Sequence, residues 1–199
     1  QAEKELYGAG ILDGGAAAAR VYWGHVGLRL AALALVTWLI ARRIRIRGGR
    51  LDATVGAWTG AMVTSIGVLP LAPLFGLASL TGPWGTVVQL AMRPLGEWDL
   101  VLAGPGLHRW WFLASAFPAV ALTALGFKNR RLRPVIGGFA AGSAALLLQL
   151  AWSGDSAFVA GLGPSRIWAL ANALVCVWIA RVGLELPPTR RAADRSNEA

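Results

Sequence analysis

Few residues in this chain have side chains suited to chemistry, and their spacing scatters them. There are two histidines, His25 and His108, and a single cysteine, Cys176. Two imidazoles and a carboxylate can hold a metal ion, and Glu97, Asp99 and Asp155 are the carboxylates to consider beside them. Nothing in the spacing brings these five together, and solvated histidines near helix ends are the plainer reading. Arg109 and Arg166 are equally placed to pair with Glu97, Asp99 or Asp155. One cysteine excludes a disulfide scaffold and a cysteine zinc site; Cys176 reads as a small buried apolar residue. No residue is assigned to catalysis, to a metal or to a cofactor. Within the apolar runs the polar residues are Gln149 and Asn172, with Thr64, Ser65, Ser115, Thr123 and Ser143. Hydrogen bonding between helices is their ordinary role. Gly56-x-x-x-Gly60 and Gly138-x-x-x-Gly142 are candidate faces for close helix packing.

The elements that must position these residues are set by hydrophobicity. Hydrophobic residues make up 56% of the 199 and charged residues only 15%, well short of the roughly one quarter usual in soluble domains. A water-soluble globule and a disordered chain are both excluded on this ground. About 20 mostly apolar residues are needed to cross the hydrocarbon core. Five such runs occur, at about 24–41 (containing LRLAALALVTWLIA), 54–77, 108–127, 134–152 and 164–184. Their centres carry no Asp, Glu or Lys, and they do not alternate as barrel strands do, so each is read as a helix. The stretch 80–92 is shorter and broken by Gly82, Pro83 and Gly85; it reads as an interfacial or re-entrant segment between spans two and three. Pro70, Pro73 and Pro118 are expected to kink spans two and three. The expected fold is an all-α integral membrane protein of about five transmembrane helices.

Charge placement orients this fold. The net charge is +9. Thirteen of the 19 basic residues fall in three places. Arg42, Arg43, Arg45, Arg47 and Arg50 follow the first span, Lys128, Arg130, Arg131 and Arg133 follow the third, and Arg181, Arg190, Arg191 and Arg195 follow the fifth. Five spans put all three on one side, which the positive-inside rule makes cytoplasmic. The N-terminus is then outside and the multi-pass chain sits in the cytoplasmic (inner) membrane. The expected contacts of this charge are anionic lipid headgroups, with bound lipids in place of any cofactor. Nucleic acid is not an expected partner, because no basic stretch is interleaved with stacking aromatics. Ten tryptophans cluster near span ends, as interfacial anchors do.

Residues Tyr7 to Ala19 differ in character. Gly8 and Gly10 suit a tight turn, and Asp13 is placed to cap a helix starting in the alanines. Tyr7, Gly8, Gly10, Leu12, Asp13, Ala16 and Ala17 form a pattern that resembles the end of the catalytic domain in subtilisin-like serine proteases (subtilases), just before the last helix of that fold. Gly14 departs from the alanine common in the family. The resemblance implies an α/β protease domain upstream, with its Asp, His and Ser triad entirely before this motif. No triad member falls on a residue of this chain, and Ser65, Ser79, Ser115, Ser143 and Ser156 lack a Gly-Thr-Ser-Met-type setting.

Three parts are therefore expected: 1–23, an extracytoplasmic remnant of a subtilase-like domain; 24–184, the membrane domain; and 185–199, a polar cytoplasmic tail. Because residue 1 is Gln, the chain is expected to be a piece of a longer precursor. The expected function is a non-catalytic anchor or structural domain of that precursor, retaining the upstream protease domain or packing against other integral membrane subunits. The alternative is an accessory subunit of a larger energy-converting or transport complex unrelated to proteolysis. A small channel or transporter is disfavoured by the lack of charge in the span centres.

Overall fold

The computed structural model describes residues 14–77, 80–103, 113–153 and 165–186. The motif's Tyr7, Gly8, Gly10, Leu12 and Asp13, together with Arg190, Arg191 and Arg195 of the tail, lie outside them.

The first helix, α1, runs Gly14–Ile46 over 33 residues, or about 50 Å at 1.5 Å per residue. It crosses position 23 unbroken, so the expected boundary there falls inside one helix. After a turn at Gly48, where φ is +74°, come β1 (Arg50–Leu51) and α2 (Val55–Ser65). The Thr54 side chain caps α2 by accepting from the Ala57 N–H. A 3₁₀ turn at Ala72–Phe75, α3 (Gly82–Met92), a second 3₁₀ turn at Leu95–Glu97 and α4 (Trp98–Ala103) follow. The remaining elements are α5 (Phe117–Gly126), α6 (Arg133–Ser153), α7 (Ser165–Leu184) and β2 (Glu185–Leu186).

Among the described residues three helices, α1, α6 and α7, are long and apolar enough to cross a membrane. Among the same residues, the expected second and third spans hold α-helices of 11 and 10 residues, each about half the ~30 Å hydrocarbon thickness. The reason in span two is local. Gly67 turns the chain with φ +94°, and Pro70 and Pro73 lack the N–H needed to continue a helix. Pro118 does not kink a span; it stands in the first turn of α5, where its missing N–H costs nothing.

Helix α6 is the centre of the bundle, buried along most of its length and packed on α7, α2, α1 and α5. The apolar core joins Val36, Ile40 and Ile44 of α1 to Ala140, Ala144 and Leu147 of α6 and to Ala173, Cys176 and Ile179 of α7. Glycine makes the closest approaches. A Cβ on Gly183 of α7 would lie 2.8 Å from the Gly137 Cα of α6 and 3.0 Å from the Arg133 carbonyl oxygen. The end of α7 therefore meets the start of α6, and the two are antiparallel. β1 pairs antiparallel with β2, Arg50 opposite Leu186, which brings the end of α1 to that same end of the bundle. Gly126 of α5 packs on Ile136 and Leu132, placing the α5–α6 loop there too. Arg42 to Arg50, Lys128 to Arg133, and Arg181 thus share one end of the molecule, and all but Arg181 are exposed.

Candidate functional site

Opposite that basic end, three elements converge on a buried polar cluster. Arg29 lies on α1 in register with Val26, Leu33, Val36 and Ile40, the stripe that faces the core. Its side chain is 6% exposed. Its Nε donates to Gln149 Oε1 of α6 at 3.0 Å, and its Nη2 donates to Glu97 Oε1 in an ion pair. The other Glu97 oxygen faces Arg93 Nη1 at 3.7 Å, and Gln149 Nε2 reaches Ser153 Oγ at 3.5 Å. Gln149 itself is 1% exposed. Charge taken out of water persists only when paired and hydrogen-bonded, and Arg29 meets both conditions.

Backbone geometry delivers Glu97 to this place. Gly96 sits where a Cβ would stand 2.5 Å from Leu146 Cδ2 of α6, so the 3₁₀ turn presses directly on the bundle. A Cβ at Gly67 would meet the carbonyl oxygens of Ala91 and Arg93 at 2.8 Å, which lets the chain leaving α2 lie against the end of α3. The Leu69 N–H donates to the Ala91 carbonyl at 2.8 Å. The Trp98 indole N–H donates to the Arg93 carbonyl at 3.3 Å, and the Tyr22 hydroxyl of α1 donates to the Pro70 carbonyl at 2.8 Å. Tyr22 and Arg42 are separated by about 30 Å along α1, the thickness of the hydrocarbon core. Arg29 lies about 20 Å from Arg42 on the same measure, two thirds of the way from Arg42 to Tyr22.

Of the other candidate residues only His25, Asp99 and Arg166 fall among the described ones. His25 is half-buried on α1, one turn before Arg29. Asp99 falls in α4, while His108, Arg109 and Asp155 lie outside the described residues. Among the described residues no three His, Cys, Asp or Glu side chains come together as a metal group. Glu97 takes its cations from Arg29 and Arg93. Arg29 falls inside the apolar run 24–41, and its spacing from Val26, Leu33, Val36 and Ile40 is the sequence signal that points inward.

The polar residues of the apolar runs divide into two kinds. Three tie elements together: Gln149 as described, Thr64 Oγ1 donating to the Phe139 carbonyl at 3.1 Å, and Asn172 Oδ1 accepting from the Ala116 N–H at 3.0 Å. Ser65, Ser143 and Thr123 bond the carbonyl one turn back on their own helices, and Ser115 Oγ accepts from the Phe117 N–H. Gly56 and Gly60 of α2 lie against Val135 and Phe139 of α6. Gly138 and Gly142 of α6 lie against Ala57, Ala61 and Thr64 of α2, with no room for a Cβ.

No protein-family model, curated protein or solved structure matches the chain.

Proposed function

We propose that this chain is a non-catalytic membrane anchor that holds a subtilase-like protease domain on the outer face of a cytoplasmic membrane. The observation that carries the reading is the continuity of α1. This helix begins at Gly14, directly after the Asp13 of the subtilase-like motif, and runs on without a break into the membrane bundle. Its first eight residues extend about 12 Å beyond Tyr22, and Ala16 to Val21 are exposed. A domain ending in that motif would join the bundle through a rigid helix. The tied polar groups support the same reading, because Arg29, Thr64 and Asn172 each fasten one element to another. In this arrangement the basic end faces the cytoplasm and contacts anionic headgroups, and the lipid-facing sides of α1 and α7 are open to other membrane subunits. The test is the coding sequence preceding Gln1 together with labelling of membranes by a fluorophosphonate probe. A triad-bearing domain that reacts with the probe is expected, and an upstream region holding an export signal alone overturns the proposal.

One observation favours a second reading, a conduction path. Helices α2 and α5 each cover about half the hydrocarbon thickness, and interrupted helices often border transport sites. Ion or solute flux in vesicles reconstituted with the chain, abolished by Arg29→Gln, would support it over the anchor.

A further inference from the structure

We propose that the groove between α1 and α2 binds one anionic phospholipid, its acyl chain along the groove and its phosphate at the basic end. This rests on the membrane reading and is independent of the protease domain. Helices α1 and α2 pack on α6 far more than on each other. An open, shallow trough lies between them. Thr37 forms one wall, Ala57, Trp58 and Ala61 the other, and Gly138 and Ala141 the floor. Small side chains make this lining apolar and smooth. At bilayer depth hydrocarbon is the medium that fills such a space, because an empty one forfeits dispersion contacts.

The mouth selects the headgroup. Leu51 and Asp52 close the groove at the end where Arg42, Arg45, Arg47 and Arg50 are exposed. The Arg42 guanidinium stacks over the Trp38 ring at 5.5 Å. Trp38 and Trp58 are 51% and 53% exposed, as rings at headgroup level are. The N-terminus of α2 opens here with its positive dipole end. Asp52 is the one charged residue among those lining the groove, and the exposed arginines at this end outnumber it, so the end as a whole favours an anionic headgroup.

The experiment is native mass spectrometry of the full chain, extracted in mild detergent and exposed to equal phosphatidylglycerol and phosphatidylcholine. The expected result is one phosphatidylglycerol retained per chain. Thr37→Phe fills the trough from a half-buried position and should abolish retention. Arg45→Gln and Arg50→Gln, both at exposed side chains, should each lower it about fivefold. Protection of Cys176 from maleimide certifies folding in each variant. Retention unchanged in Thr37→Phe overturns the site, equal retention of the two lipids overturns the headgroup assignment, and a co-purifying polypeptide in place of lipid overturns the occupant. Release of the chain from membranes by alkaline carbonate would instead refute the membrane reading beneath it.

Discussion

Arg29 has a long side chain and a permanent charge, and it lies buried in an apolar bundle. Glu97 and Gln149 are what make that position tolerable. Removing one partner should therefore cost more than removing both, because the survivor is left buried and unpaired. Glu97→Leu is expected to destabilise the bundle by about 3–5 kcal/mol, and the double variant Arg29→Leu, Glu97→Leu by less than Glu97→Leu alone. Unfolding titrations in mixed micelles measure both, and additive losses would show that the two groups are not coupled. Cys176 provides an internal probe, being 0% exposed in the core between α7 and its neighbours. A membrane-permeant maleimide should leave it unmodified in the folded chain and label it fully after denaturation; rapid labelling of the native protein would contradict the packing. Arg29 was visible in the sequence but its partners were not. Glu97 is 68 residues away and Gln149 120, and such separations are closed only by the way the helices pack.

At the scale of elements, the α2–α6 contact depends on missing side chains. Gly138→Ala would push a methyl into the Ala57 backbone of α2, a clash that cannot be relieved by a rotamer change and should cost about 1–3 kcal/mol. Gly24→Ala is the control: a Cβ there meets nothing within 4 Å, and alanine should be neutral or stabilising by up to about 1 kcal/mol. Thermal unfolding in detergent separates the two, and equal effects would mean that backbone entropy, not the helix contact, decides. The four-residue glycine spacing was legible on each helix, but not which helix faces which. Helix α2 also shows where run length misleads. The stretch 54–77 carries no charged residue, yet the turn at Gly67 and the prolines beyond it stop the helix at half the span. Hydrophobicity specifies the medium around a segment and leaves its backbone conformation to the turn residues.

Among the described residues the molecule is electrically polarised, with two basic segments and Arg181 at one end and the Arg29–Glu97 cluster towards the other. The antiparallel pairing of α6 with α7 and the β1–β2 ladder produce this, so it does not depend on how many helices fully cross. If the basic end is cytoplasmic, a cysteine at Asn129, in a Cys176→Ala background, should resist an impermeant maleimide applied to intact cells. One at Ala17, on the exposed start of α1, should react at once. The opposite pattern would invert the orientation and remove the link to an exported protease domain.

Composition and run length by themselves determined that the chain is helical and suited to lipid, and the arginine clusters marked which segments keep company. These properties are sums over local residues, and hydrocarbon reads them one segment at a time. Tertiary structure alone decided that α6 is the central helix, that two apolar stretches stop short, and that Arg29 is paired inside. Each of those depends on contacts between distant residues, where the absence of a Cβ or the reach of a guanidinium is tested against a neighbour the local pattern does not name.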